Sequence, residues 1–276
     1  MNIVEIIKSS LDDMTRSERQ VASHYLSQPN DFAFCTLDAL ASRIDTSTTS
    51  VLRFCRKIGF AGYKDFQQEV QQAMRVQPQL PEKYMRSVSD HTNLMLRKIG
   101  SDIQCIQNTF RDMDEISIAS AVELICEGKR VATVGSRESF ALAHYAYTRL
   151  LSVRADVTIL DISSGLMESV LSLGQGDVCV VFLFHRYTRQ TIKLLQLLNT
   201  QKVSVILITD PPYKDVQELA QILLPCYVDC DGIKNTAVAP VVLMDYFCDA
   251  VAAKLGDRSL EYMKNAEAVF RLGDVL

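Results

Sequence analysis

Past Lys129 the sequence adopts a single rhythm, in which short runs that are apolar throughout alternate with stretches of helical periodicity. KRVATVGS, VTILD (Val157 to Asp161), GDVCVVFLF (Gly176 to Phe184), VSVILITD (Val203 to Asp210) and ILLPCYVD (Ile222 to Asp229) are the five runs. Helical patterns follow at Ser139 to Leu151, Thr188 to Asn199, Val216 to Ala220 and Thr236 to Leu255. A strand of an open sheet with one wet face would alternate apolar and polar residues. These runs do not, so both of their faces must be covered. The pattern predicts an α/β domain with a five-stranded, mostly parallel sheet flanked by helices.

Ahead of that region the chain reads as all helix. Val4, Ile7 and Leu11 share one helical face, and Thr15 with Glu18 three residues on makes a capping box for a helix from Arg16 to Ser27. That helix is expected to bury Val21, Ala22, Tyr25 and Leu26 and to stop at Pro29. Thr36 caps a helix over Leu37 to Arg43, Asp45 to Ser47 make a turn, and Thr48 to Ile58 form the next helix, with Val51, Leu52, Cys55 and Ile58 inward. A more polar helix covers Tyr63 to Met74. Pro78 and Pro81 punctuate a polar stretch, Val76 to Asp90, that reads as a linker. Two further helical segments, Thr92 to Arg111 and Asp114 to Glu127, lead into the sheet. The expected division is 1–75, a linker at 76–90, and 91–276.

With 48% hydrophobic and 22% charged residues the chain is expected to fold. Its net charge of −4 argues against a protein coated in nucleic acid but leaves room for a local cationic face. Such a face stands between Ile44 and Phe66, in IDTSTTSVLRFCRKIGFAGYKDF. Small hydroxyl residues open an amphipathic helix that carries Arg53, Arg56 and Lys57, and Tyr63 and Lys64 follow the break at Gly59. Small residues let a helix N-terminus approach base edges while Arg and Lys reach phosphates or guanine, the pattern of a helix that enters the DNA major groove. Eight cysteines occur without a C-x-x-C pair or a histidine at metal spacing, so they read as buried free thiols of a reducing cytosol, and no metal or cofactor is implied. Neither a leader segment nor an apolar run long enough for a membrane is evident, and a soluble, cytoplasmic protein is expected.

MTRSERQVASHYLSQP, and then LDALASRIDTSTTSVLRFCRKIGFAGYKDFQ, resemble the helix-turn-helix domain of RpiR-type bacterial transcription regulators. The part of the chain with the five apolar runs resembles the sugar isomerase (SIS) fold with which such regulators sense phosphorylated sugars. The resemblance implies a sequence-specific regulator of carbohydrate metabolism that is not an enzyme. It makes Ser47 to Ile58 the recognition helix, with Ser47 as N-cap and Thr48, Thr49 and Ser50 near base edges. Arg53, Arg56, Lys57 and Lys64 then clamp phosphates, and the Tyr63 hydroxyl donates to one. An ion pair of Arg53 within the domain is the competing reading. One such domain spans few base pairs, so a homodimer or homotetramer on operator DNA is expected.

SIS domains hold sugar phosphates with hydroxyls and backbone N–H groups at strand-to-helix turns, where the helix dipole favours an anion. In VGSRESFALAHYAY the matching hydroxyls are Ser136 and Ser139, with Arg137 as a phosphate partner. The second turn departs from the family's S-x-S-G-x-T: here it reads Leu183, Phe184, His185, Arg186, Tyr187 and Thr188, and Thr191 lies further along. Either His185 and Arg186 replace the hydroxyls by charge, or the pocket is degenerate and the domain only dimerises. Ser163 and Ser164 after the second strand are secondary candidates that also fit a helix cap. A sugar-phosphate isomerase is the enzymatic alternative; it would need a base, and Glu138, Glu168, His144 and His185 are the groups available.

Overall fold

The computed structural model describes residues 3–75, 83–84, 93–162, 167–185, 187–211, 213, 216–230 and 232–272. The chain divides into two compact units, Met1–Gln77 and Pro78–Leu276. The expected linker lies outside the described residues apart from Lys83 and Tyr84.

The first unit is helical: α1 (Ile3–Ser10), α2 (Arg16–Ser27), α3 (Pro29–Phe34), α4 (Leu37–Ile44), α5 (Thr48–Lys57) and α6 (Tyr63–Arg75). The capping box forms as read: Thr15 Oγ1 accepts from the Glu18 N–H, and Glu18 Oε2 accepts from the Thr15 N–H at 2.8 Å. Thr36 and Ser47 likewise cap α4 and α5. Asp45, at φ 56°, supplies the left-handed residue that ends α4 and sets the turn.

Three details differ from expectation. Pro29 starts α3 rather than ending the helical run, because proline at a first helical position forfeits only an N–H that has no partner there. Ile3 and Ile7, not Val4, line the core, and Leu26 is 41% exposed. The centre of the unit is aromatic. Phe32, Phe54 and Phe66 are fully buried and meet at 5.7–6.4 Å between ring centroids, with Tyr25 and Phe60 against Phe66. Phe54 therefore anchors α5, a role that the periodic reading assigned to its aliphatic neighbours.

The second unit runs α7 (Leu94–Arg111), α8 (Glu115–Glu127), β1 (Val131–Gly135), α9 (Glu138–Leu151), β2 (Val157–Leu160), β3 (Val178–Leu183), α10 (Arg189–Thr200), β4 (Ser204–Thr209), β5 (Ile222–Pro225), α11 (Val238–Leu255) and α12 (Asp257–Leu272). All neighbouring strands are parallel, in the order β2-β1-β3-β4-β5. Every residue of β1 and β3 is buried, as an uninterrupted apolar run requires. Val131, Val180, Phe182, Ile206 and Ile208 pack toward α8, α9 and α11. Their sequence neighbours Ala132, Val134, Val181 and Leu207 pack toward α10. The short helical pattern at Val216 to Ala220 is a single turn, Gln217–Leu219, and α12 continues the chain past the expected last helix.

The chain runs from β1 to β2 on one side, then crosses back past β1 to β3 on the other and winds on to β4 and β5. In a doubly wound sheet of this order the crevice opens beyond the carboxyl ends of the strands where the direction of winding reverses, here β1 and β3.

Candidate functional sites

On α5 the first turn is built for access. Ser47 Oγ accepts from the Ser50 N–H at 3.1 Å and lies 2.9 Å from Ser50 Oγ, so the N-terminus is capped by a side chain that adds little bulk. Thr48 and Ser50 are half-buried and Thr49 is exposed. Arg53 and Arg56 on α5 and Lys64 on α6 are exposed and have no protein partner among the described residues. Arg53 thus stands clear of the ion pair considered for it. These cations are free to meet a polyanion.

Two residues expected at the phosphates are occupied elsewhere. Tyr63 is 7% exposed, and its hydroxyl donates to the carbonyls of Cys35 at 2.8 Å and Phe32 at 3.2 Å. These carbonyls close the α3–α4 corner, and burial raises the Tyr63 pKa. Its ring is part of the core, which an aromatic residue just past a turn does not reveal in sequence. Lys57 Nζ lies 3.0 Å from Glu18 Oε2 and also donates to the Asp13 carbonyl, so α5 is tied to the capping box of α2. Burial opposes ionisation of Glu18, but hydrogen bonds from Thr15 and from Lys57 outweigh it and hold the carboxyl below its ordinary range.

At the crevice between β1 and β3, three of the expected ligand residues come together. Ser136 Oγ lies 3.1 Å from Thr188 Oγ1 and 3.1 Å from Thr191 Oγ1, and the two threonine oxygens are 2.8 Å apart. Thr188 caps α10, accepting from the Thr191 N–H at 3.2 Å. The cluster therefore joins the end of β1 to the N-terminus of α10. Gly135 lets the end of β1 lie close against the first turn of α9, because a Cβ there would stand 2.2 Å from the Ser139 carbonyl oxygen.

Ser139 is half-buried in the first turn of α9, its N–H donating to the Ser136 carbonyl at 3.1 Å. Arg137 lies between them, exposed, at φ 55° and ψ −121°, a strained backbone for a residue with a Cβ.

His185 is not part of the hydroxyl cluster. Its N–H donates to Asp210 Oδ1 at 2.8 Å, and its Nδ1 comes within 2.9 Å of Asp210 Oδ2 outside hydrogen-bond geometry. The imidazole stacks on Tyr187, ring centroids 4.1 Å apart, and the Tyr187 hydroxyl reaches Thr209 Oγ1 at 3.2 Å. Asp210 and Asn235, whose amide donates to the His185 carbonyl at 3.4 Å, belong to no motif in the sequence. The acid that ends the VSVILITD run is their one available signal. Arg186, Ser163 and Ser164 lie outside the described residues.

Among candidate bases, Glu138 is ion-paired with Lys234, and His144 is exposed on α9. The described residues contain no cluster of potential metal ligands. None of the eight cysteines is in a disulfide, and burial raises the pKa of Cys55 and of Cys105 to about 12. No helix among the described residues is long and apolar enough to cross a membrane.

Comparison with known proteins bears on both sites. Residues 1–77 match the model of the helix-turn-helix domain of the rpiR family, and residues 123–228 match the SIS domain. The transcriptional regulator HexR of Escherichia coli is 26% identical over 212 residues, 76% of this chain and 72% of HexR. HexR of Pseudomonas aeruginosa is 24% identical, across 75% of this chain and 73% of its own. Among solved structures, Vibrio vulnificus NanR complexed with ManNAc-6P has the same fold, at a TM-score of 0.57 and 20% identity, covering 98% of this chain and 99% of NanR. The sugar isomerase domain of an RpiR transcription factor from Sphaerobacter thermophilus superposes with a TM-score of 0.61 at 22% identity, covering 64% of this chain and 99% of that domain. With a capped helix-turn-helix ahead of a doubly wound sheet, the chain belongs to the RpiR family of DNA-binding transcriptional regulators.

Proposed function

We propose that the protein is an effector-controlled reader of operator DNA, and that its effector is a phosphorylated sugar or a similar small anion held at Ser136, Thr188 and Thr191. The observation that carries this reading is the hydroxyl cluster itself: three oxygens within 3.1 Å of one another at the crevice of the sheet and at a helix N-terminus. These hydroxyls satisfy one another. Each can rotate its proton outward to donate to an anion, which the α10 dipole further stabilises. NanR, of like fold, was solved with ManNAc-6P, which supports a phosphosugar as the class.

In this proposal Arg137 and Ser139 complete the phosphate side, and His185, its ring stacked on Tyr187, stands where the second of the family's serines would be. Arg186, between the two in sequence, adds charge. At the DNA end Thr48, Thr49 and Ser50 approach base edges beside the cap Ser47, while Arg53, Arg56 and Lys64 hold phosphates. Lys57 serves the fold first. The protein works in the cytoplasm as a homodimer or a dimer of dimers, so that two recognition helices meet half-sites about one helical turn apart.

Thermal stabilisation by a panel of hexose, hexosamine and N-acetylhexosamine 6-phosphates, inorganic phosphate and dicarboxylates tests the effector site. A ligand at 100 times its dissociation constant adds about 2.7 kcal/mol. Stabilisation by phosphorylated members, abolished in Ser136→Ala, is the expected result. Silence across the panel from a folded protein would remove the effector site and leave a regulator controlled by other means.

A further inference from the structure

The loop that leads from β5 into α11 touches more of the second unit than its length suggests. Asp229 Oδ1 accepts from Lys83 Nζ at 2.7 Å, and Asn235 Oδ1 accepts from the same ammonium at 3.0 Å. Asn235 also donates its amide to the His185 carbonyl at 3.4 Å, and Lys234 pairs with Glu138 at the start of α9. Cys230 Sγ stands 3.8 Å from Lys98 Nζ on α7. One loop thereby holds the turn after β3, the first turn of α9 and the segment around Lys83.

Lys83 is the unusual member. It comes from the stretch of chain between the DNA-reading helices and α7, yet only 7% of it is exposed. A buried ammonium is costly unless it is paired and hydrogen-bonded, so this position is specified by the loop and not left to a solvated linker. Its carboxylate partner Asp229 is 61% exposed in its side chain, which leaves the Asn235 amide as the sheltered partner.

We infer that Lys83 is a positioning residue through which occupancy of the effector site is passed to the DNA-reading unit. The inference rests on the effector reading above. An anion drawn to Ser136, Thr188 and Thr191 re-seats the turn from His185 to Thr188. The His185 carbonyl carries that shift to Asn235, and Asn235 carries it to Lys83, from which the chain runs back to α6. Coupling is reciprocal: if occupancy alters the hydrogen bond from Lys83 to Asn235, removing that bond alters the response to occupancy.

The test uses the full chain, inorganic phosphate as the probe, and hydrogen exchange as the readout, comparing wild type with Lys83→Met and Lys83→Arg. Without phosphate, Lys83→Met should speed exchange at residues 229–236 and at the His185 amide about tenfold, as expected when a charge-assisted hydrogen bond is removed. Lys83→Arg should restore most of the protection. With saturating phosphate, wild type should change its exchange at the peptide containing Lys83 and Tyr84, whereas Lys83→Met should lose that change while keeping thermal stabilisation by phosphate within about twofold in affinity. A merely structural lysine would leave the phosphate-induced change in place. A change that persists undiminished in Lys83→Met overturns the inference alone, and so does unaltered exchange at His185. Failure of phosphate and of every sugar phosphate in the panel to stabilise wild type overturns the effector reading, and the inference with it.

Discussion

Both candidate sites of this protein are built on the same device, a hydroxyl cluster at a helix N-terminus, and they differ in setting. At α5, Ser47 and Ser50 are 2.9 Å apart on a helix whose later turns carry the exposed Arg53 and Arg56. At α10, Thr188 and Thr191 are 2.8 Å apart and meet Ser136 inside a crevice, with Ser136 and Thr191 buried. The first arrangement has access and surrounding charge, which suits an extended polyanion met from outside. The second has shelter and a fixed geometry, which suits one small anion enclosed by donors in a medium of lower dielectric. A helix N-terminus therefore does not by itself say what it binds; its exposure and its neighbours decide.

The largest expected effect breaks the comparison at its base. Phe54→Ala removes the aromatic centre that holds α5 and should cost about 3–5 kcal/mol. In a calorimeter the transition of the first unit should move down while that of the second stays in place. A common shift of both would mean that the units do not melt separately.

Ser136→Ala sharpens the sheltered end. Thr188 and Thr191 keep each other as partners, so folding stability should fall by only about 1 kcal/mol, whereas the phosphosugar-induced rise in melting temperature should vanish. Operator affinity in the absence of effector should not change.

At the exposed end, Arg53→Ala with Arg56→Ala should leave thermal stability within about 0.5 kcal/mol. The salt dependence of operator binding should become shallower by about 0.9 in slope for each phosphate that is no longer neutralised. An unchanged slope, measured by titration at several salt concentrations, would move these arginines out of the interface. Tyr63→Phe is the counterpart control. It should leave the slope unaltered and cost about 1 kcal/mol of stability, because Gln67 still donates to both the Phe32 and Cys35 carbonyls.

The smallest effect concerns pH. The Glu18 carboxyl is held below its ordinary value in the folded state, so its contribution is fully present above the unfolded pKa, about 4.3, and is lost as pH falls through the lower folded value. Glu18→Gln should flatten that acid limb, because it removes the carboxylate that the Thr15 N–H and Lys57 hold in its charged form, as read by denaturant unfolding across pH. An identical acid limb in the variant would remove the capping box as its origin.

Much of the architecture is legible in local sequence. The capping box at Thr15 and Glu18, the caps Thr36 and Ser47 and the five apolar runs act within a few residues of themselves, so periodicity and turn chemistry are enough to find them. The same is true of the exposed cations on α5, whose apolar neighbours mark the opposite face. Expectation and structure part where one signal has two local meanings. Pro29 can end a helix or begin one, and the chain took the second.

What only the tertiary structure decided is which polar atoms meet. Ser136 and Thr191 are 55 residues apart, Lys57 and Glu18 are 39 apart, and Lys83 and Asn235 are 152 apart. No spacing rule connects such pairs. They are set by the winding of the sheet and by the packing of aromatic rings between helices. Tyr63 shows the consequence. Its sequence context places a hydroxyl next to cations after a turn, but burying its ring against the core is worth more than leaving the hydroxyl for a phosphate, and the hydroxyl then takes the carbonyls within reach.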